Sequence, residues 1–238
     1  MHPDLPFNLP GDLVLMLLAD ARLPVAGHTQ SGTVEAALQD GLGPAEVPAY
    51  LRTRLRTVTA VEAATAVVSR HLALQGAPAR RWLALEHAWE ARSPSPALRE
   101  ASRRQARALL RLATRTWPDA PALARVVDLG TPSRALALGA LGAHLGLEAR
   151  TVAHLVGYDD VQTVCAASLK LAPLDPAAVV GWVEGCARGG GPPAVAAGIE
   201  GHARGGGPPA AAAGWRGARA APAMAGGGRI EGRARGAA

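Results

Sequence analysis

Cysteine, aromatic residues and lysine are all scarce in this chain, and each shortage removes a class of function. Two cysteines, Cys165 and Cys186, form no CxxC pair and cannot build a disulfide framework, so a reducing compartment is expected. Aromatics make up 3% of the 238 residues, and the β-branched, aromatic-rich runs that mark strands are rare, which argues against a sheet. Lysine occurs once, at Lys170; every other basic residue is arginine, an excess that reads as coding bias more than as a functional signal. The N-terminus lacks a basic leader region, with Asp4 and Asp12 around its apolar stretch, and the longest apolar run, 13–19, is far short of a membrane span. The expectation is a cytoplasmic protein with no membrane contact.

What remains is Ala, Leu and Arg, all good helix formers, in a chain that is 49% hydrophobic and so able to bury one sizeable core. The fold class expected is all-α: a single helical-bundle-like domain over residues 1–184, followed by a disordered low-complexity Gly/Ala/Pro/Arg tail over 185–238. The tail opens with EGCARGGGPPAVAAGI at 184–199 and repeats it as EGHARGGGPPAAAAGW at 200–215. So much Gly and Pro with so few large side chains cannot bury enough apolar surface to offset the entropy of ordering. The same division explains the net charge of +6. Seven of the 25 basic residues and two of the 19 acidic ones fall after position 184, leaving 18 and 17 in residues 1–184. A nearly neutral domain is a poor electrostatic footprint for a duplex, and no nucleic-acid role is expected.

Helical periodicity and Pro/Gly punctuation divide the domain. Residues 11–21 predict a helix too apolar all round to face water, hence buried. Ser31 is placed to cap a helix through Gln39, with Glu35 in its first turns, and Gly41, Gly43 and Pro44 close it. One long amphipathic segment is predicted over 45–74 through Val47, Leu51, Leu55, Val58, Val61, Thr65, Val68 and Leu72, with Arg52, Arg54 and Arg56 mostly off the stripe. Trp82, Leu85 and Trp89 mark the next helix and residues 97–116 another, ended by Pro118 and Pro121. Further helices fit 134–145, 148–156 and 159–171, with Gly146 and the Gly157–Tyr158 step as junctions, then 177–184.

Constellations that carry chemistry do not assemble. His28, His71, His87, His144 and His154 fall singly on different segments, without the spacing that puts two ligands on one helix face, so no metal site and no cofactor are expected. Cys165 sits among Val161, Val164 and Ala166, an apolar setting that raises a thiol pKa and marks core, not nucleophile. The triple glycines at 189–191 and 205–207 precede Pro-Pro, not Lys-Ser or Lys-Thr, and make no phosphate loop. The stripe Arg103, Arg104, Arg107 and Arg111 reads first as a solvated face and second as a grip for an acidic partner. The loop 24–32 is more unusual: two glycines and a small polar cluster between apolar helices imply a presented surface.

Four segments, in the family's order, carry a resemblance. LLADARLPVAGHTQSG at 17–32, followed by Val34, Glu35 and Ala36, resembles the opening signature of the UreF urease accessory proteins, actinobacterial type. SRRQARALL at 102–110 resembles the family's central helix, AASLKLAPLD at 166–175 its late leucine-proline signature, and ALGALG at 137–142 its small-residue helix. Ala26, Gln30 and Thr33 depart from the family pattern, and the resemblance stops near Glu184. The resemblance implies an all-α, non-enzymatic scaffold that dimerises, binds the accessory protein UreD (also called UreH), recruits and modulates the GTPase UreG, and delivers nickel to apo-urease. The partner-binding residues expected on this reading are Pro24, Gly27, His28, Gln30, Ser31, Gly32 and Glu35 in the early loop. Tyr158, Gln162, Lys170, Leu171, Pro173 and Leu174 form the later set. The alternative is a helical adaptor or regulator without a urease role.

Overall fold

A computed structural model of the chain describes residues 11–20, 23 and 30–188. It is all-α, in the order α1 (Gly11–Ala19), α2 (Val34–Gln39), a 3₁₀ turn (Pro44–Glu46), α3 (Val47–Arg56), α4 (Val58–Leu74), α5 (Ala79–Glu90), α6 (Pro96–Thr116), α7 (Pro121–Asp128), α8 (Arg134–His144), α9 (Ala149–Leu171) and α10 (Pro176–Arg188). The last helix thus runs four residues past the expected stop at Glu184. The repeat tail beyond it, with its expected disorder, lies outside the described residues.

At the centre is α8, whose residues Ala135 to Gly142 are all buried. Its small side chains let neighbours approach closely: a Cβ on Gly139 would overlap the Ala66 carbonyl of α4, and one on Gly142 would lie 2.6 Å from Val152 Cγ2 of α9. Around it α4, α5, α6, α7 and the first half of α9 close the main core, with Trp82, Leu109, Leu123, Leu136 and Leu141 among its largest members. The exposed start of a helix normally leaves amide N–H groups without partners. Here Ser133 caps α8 by accepting from Leu136 N, the Arg134 amide donates to Ser102 Oγ, and the Ser133 amide donates to Glu86 Oε2 at 3.0 Å.

A second apolar cluster sits beside the first, built from Val34 of α2, Val47, Leu51 and Leu55 of α3, Val161, Val164 and Cys165 of α9, and Val179 of α10. Among the described residues, only α9 contributes to both clusters. Burial holds the Cys165 thiol up at about 11, as its apolar setting predicts.

Four local expectations are corrected. The segment 45–74 is two helices, broken at Thr57 (φ −116°, ψ −91°), because α3 faces the second cluster and α4 the first, and one straight helix cannot present its stripe to both. Conversely, the 148–156 and 159–171 helices are one: Gly157 is buried inside α9, where packing on both clusters outweighs the roughly 0.5–1 kcal/mol cost of an interior glycine. Pro121, expected to end the 97–116 helix, instead opens a further helix, α7, and sits in its first turn, where its fixed φ suits a helix start. Helix α1 buries Val14 and Leu18 but leaves Leu13, Met16 and Leu17 at 48%, 68% and 40% exposure, so it is not covered on all sides.

Candidate partner-binding site

The most constructed polar feature of the molecule lies under the segment that enters α2. Gly32 and Thr33 are both in the left-handed region, at φ 58° and 63°. Ser31 is therefore not the cap of α2: Thr33 holds that position and its side chain makes no capping bond. Instead, Thr33 Oγ1 and the Tyr50 hydroxyl lie 2.6 Å apart, each within 2.7 Å of the Gly32 carbonyl, which accepts from them. Arg54 Nη1 donates to Thr33 Oγ1 at 3.3 Å.

Arg54 itself is buried, contrary to its expected place off the apolar stripe. Its Nε and Nη2 donate to the two carboxylate oxygens of Asp160 on α9, at 3.0 and 2.5 Å, in the two-point geometry arginine makes with carboxylates. Thr59 of α4 adds a third donor to Asp160 Oδ2 at 2.7 Å. Burial alone lowers an arginine pKa, yet the bonded and charged Asp160 outweighs it and the Arg54 pKa stands above its ordinary value. The consequence is mechanical. Backbone that only glycine adopts readily is held to α3, α4 and α9 by a charged, hydrogen-bonded anchor. There is no room for a larger residue: a Cβ on Gly32 would sit 2.7 Å from Val164 Cγ2 and 3.6 Å from Arg54 Cζ.

This anchored segment forms one wall of a groove of about 450 Å³. Gln30, Ser31, Gly32, Glu35 and Gln39 line that wall; Arg54, Val58, Thr59 and Glu62 come from α3 and α4, Leu98, Ala101, Arg104 and Gln105 from α6, and Asp159, Asp160 and Thr163 from α9. Arg134 at the start of α8 pairs with Asp159 at 3.1 Å. Glu62 accepts from Trp89 Nε1 at 2.6 Å, and desolvation pushes its carboxyl above the ordinary 4.5 despite that bond and nearby Arg134. Behind it, buried Glu86 is also raised by desolvation, against the Ser133 bonds and Arg103 that favour its charge. Arg103 pairs with Glu90 and lies 5.9 Å from the Trp89 ring centroid.

Of the sequence-predicted residues, Gln30, Ser31, Gly32 and Glu35 come together in this groove. Pro24, Gly27 and His28 lie outside the described residues. The later set does not join them. Tyr158, Gln162 and Lys170 follow the outer side of α9, and Leu171, Pro173 and Leu174 continue into the turn before α10, with Tyr158 and Leu171 43% and 49% exposed. Sequence reading missed Arg54, Asp160, Thr59 and Tyr50. The only available signals were three alternating arginines in the second half of α3 and an Asp-Asp step inside α9, and neither names its partner.

Among the described residues no group of three or more His, Cys, Asp or Glu side chains is placed to hold a metal ion. No helix among them is long and apolar enough to cross a membrane. The fold is thus an all-helical protein whose most elaborate polar structure supports a surface loop and a groove.

Comparison with known proteins places it. The family model for UreF matches residues 42–187. A urease accessory protein UreF from Mycobacterium sp. (strain JLS) is 40% identical over 177 residues, 73% of this chain and 79% of the relative. Relatives of the same description from Mycolicibacterium vanbaalenii and Mycobacterium bovis are also 40% identical, over 69% and 70% of this chain and 75% of each relative. The chain belongs to the UreF family of urease accessory proteins.

Proposed function

We propose that this protein acts in urease maturation as a non-enzymatic scaffold, binding UreD/UreH, recruiting and modulating the GTPase UreG, and promoting nickel insertion into apo-urease as a homodimer within the complex. Family membership supplies the context. The observation that carries the reading is the anchored segment Gln30–Glu35: Arg54, Asp160, Thr59 and Tyr50 hold a glycine-dependent backbone turn at the rim of a groove. A rigid, presented loop suits recognition by another protein, because little conformational entropy remains to be lost on binding. The outer side of α9 with Tyr158, Gln162 and Lys170, and the following turn with Leu171, Pro173 and Leu174, is a second contact surface on this reading.

Co-expression with UreD, UreG and urease subunits from the same source is the test. The tagged protein is expected to retain UreD and UreG on purification, and its deletion to leave urease inactive and nickel-poor. Fully nickel-loaded urease in the deletion strain, with no partner retained, would overturn the proposal.

A further inference from the structure

Helix α6 separates its arginines into two groups that the sequence alone lists as one. Arg99 and Arg103 turn inward: Arg99 Nη1 donates to the Ser93 carbonyl, and Arg103 meets Glu90, Glu86 and the Thr131 carbonyl. Arg104, Arg107, Arg111 and Arg115 are exposed. At 100° per residue these four fall within a sector of about 80°, along about 16 Å of helix. One acidic residue shares the sector, Glu100 at its N-terminal end, 3.9 Å from Arg104 and 3.1 Å from Arg107. Among the described residues no carboxylate lies within ion-pair distance of Arg111 or Arg115.

We propose that this stripe docks an acidic, helical segment of a partner protein. Like charges four residues apart destabilise a helix, and Arg107, Arg111 and Arg115 form two such pairs in succession. Carboxylates supplied at the same helical spacing relieve that repulsion and match the bidentate geometry of guanidinium groups. A polypeptide fits better than nucleic acid for two reasons. The residues through 184 hold 18 basic and 17 acidic groups, so the stripe is a local ridge without the extended positive field that a phosphate backbone needs. The stripe also runs into the groove through Arg104, where Gln39, Gln105 and Leu98 offer amide and apolar groups suited to a peptide. The inference stands independently of the urease reading.

Fluorescence anisotropy with a labelled, Glu-rich helical peptide and the full-length protein tests it. Binding is expected to weaken with salt, and Arg111→Glu/Arg115→Glu to reduce affinity about tenfold or more, with no fall in melting temperature. The tail arginines contribute equally to both proteins, so the ratio isolates α6. Arg111→Ala/Arg115→Ala gives a smaller loss in the same direction and replaces the reversal should that variant fold poorly. Equal peptide binding by wild type and variants overturns the proposal. So does an equal or larger stripe-dependent loss with single-stranded RNA or phosphatidylglycerol vesicles, which would mark a general polyanion surface.

Discussion

Arg54 and Asp160, 106 positions apart, meet through two hydrogen bonds of 3.0 and 2.5 Å beneath the Gly32–Thr33 turn, with side chains 9% and 19% exposed. Removing one member of a pair this buried leaves an uncompensated charge, a loss of about 3 kcal/mol or more. Arg54→Ala and Asp160→Ala are each expected to destabilise by that order in urea unfolding, and the double variant to lose clearly less than the sum. Additive losses would show that the two side chains do not work as a unit. Arg54→Lys is expected to recover little, since an ammonium cannot span both carboxylate oxygens.

Gly32 is the residue on which that turn depends. Alanine there meets Val164 Cγ2 at 2.7 Å and an unfavourable φ of 58°. A loss of about 1–3 kcal/mol is expected from overpacking and backbone strain together. Gly185 on α10, where an added Cβ meets nothing within 4 Å, is the control: Gly185→Ala should be neutral or slightly stabilising. Comparable melting temperatures for both variants would refute the tight fit at Gly32.

Glu62 and Glu86 give the fold a pH dependence of defined sign. Burial raises both carboxyls above 4.5, so the folded state favours their protonated forms. Their contribution to stability is complete below that value and is lost as pH rises through the raised folded values. Glutamine keeps an acceptor for Trp89 Nε1 without the charge. Glu62→Gln should therefore gain stability relative to wild type as pH rises from 4.5 to neutrality. A difference in melting temperature that stays constant with pH would contradict this.

Ser168 on α9 is wholly buried, and its hydroxyl has no hydrogen-bond partner among the described residues. Burying an unmatched hydroxyl costs about 1–3 kcal/mol, so Ser168→Ala should be neutral or stabilising in thermal melts. A marked loss would reveal a partner to that hydroxyl.

Much of this architecture is legible residue by residue, because its causes are local. Glycines 41 and 146 mark helix ends through their own φ preferences, and the Trp82–Leu85–Trp89 spacing declares a buried face. The apolar setting of Cys165 likewise follows from its immediate neighbours. Family resemblance pointed to the early loop, and Gln30, Ser31, Gly32 and Glu35 do share a groove. The break at Thr57, the unbroken run of α9 through Gly157 and the open side of α1 depend instead on which cluster each helix meets. The same holds for Arg54, exposed by its spacing but buried by its partner. A chain specifies helices through interactions within a few residues. The pairing of Arg54 with Asp160 exists only after α3, α4 and α9 have packed, because neither charge is stable away from water until the other arrives.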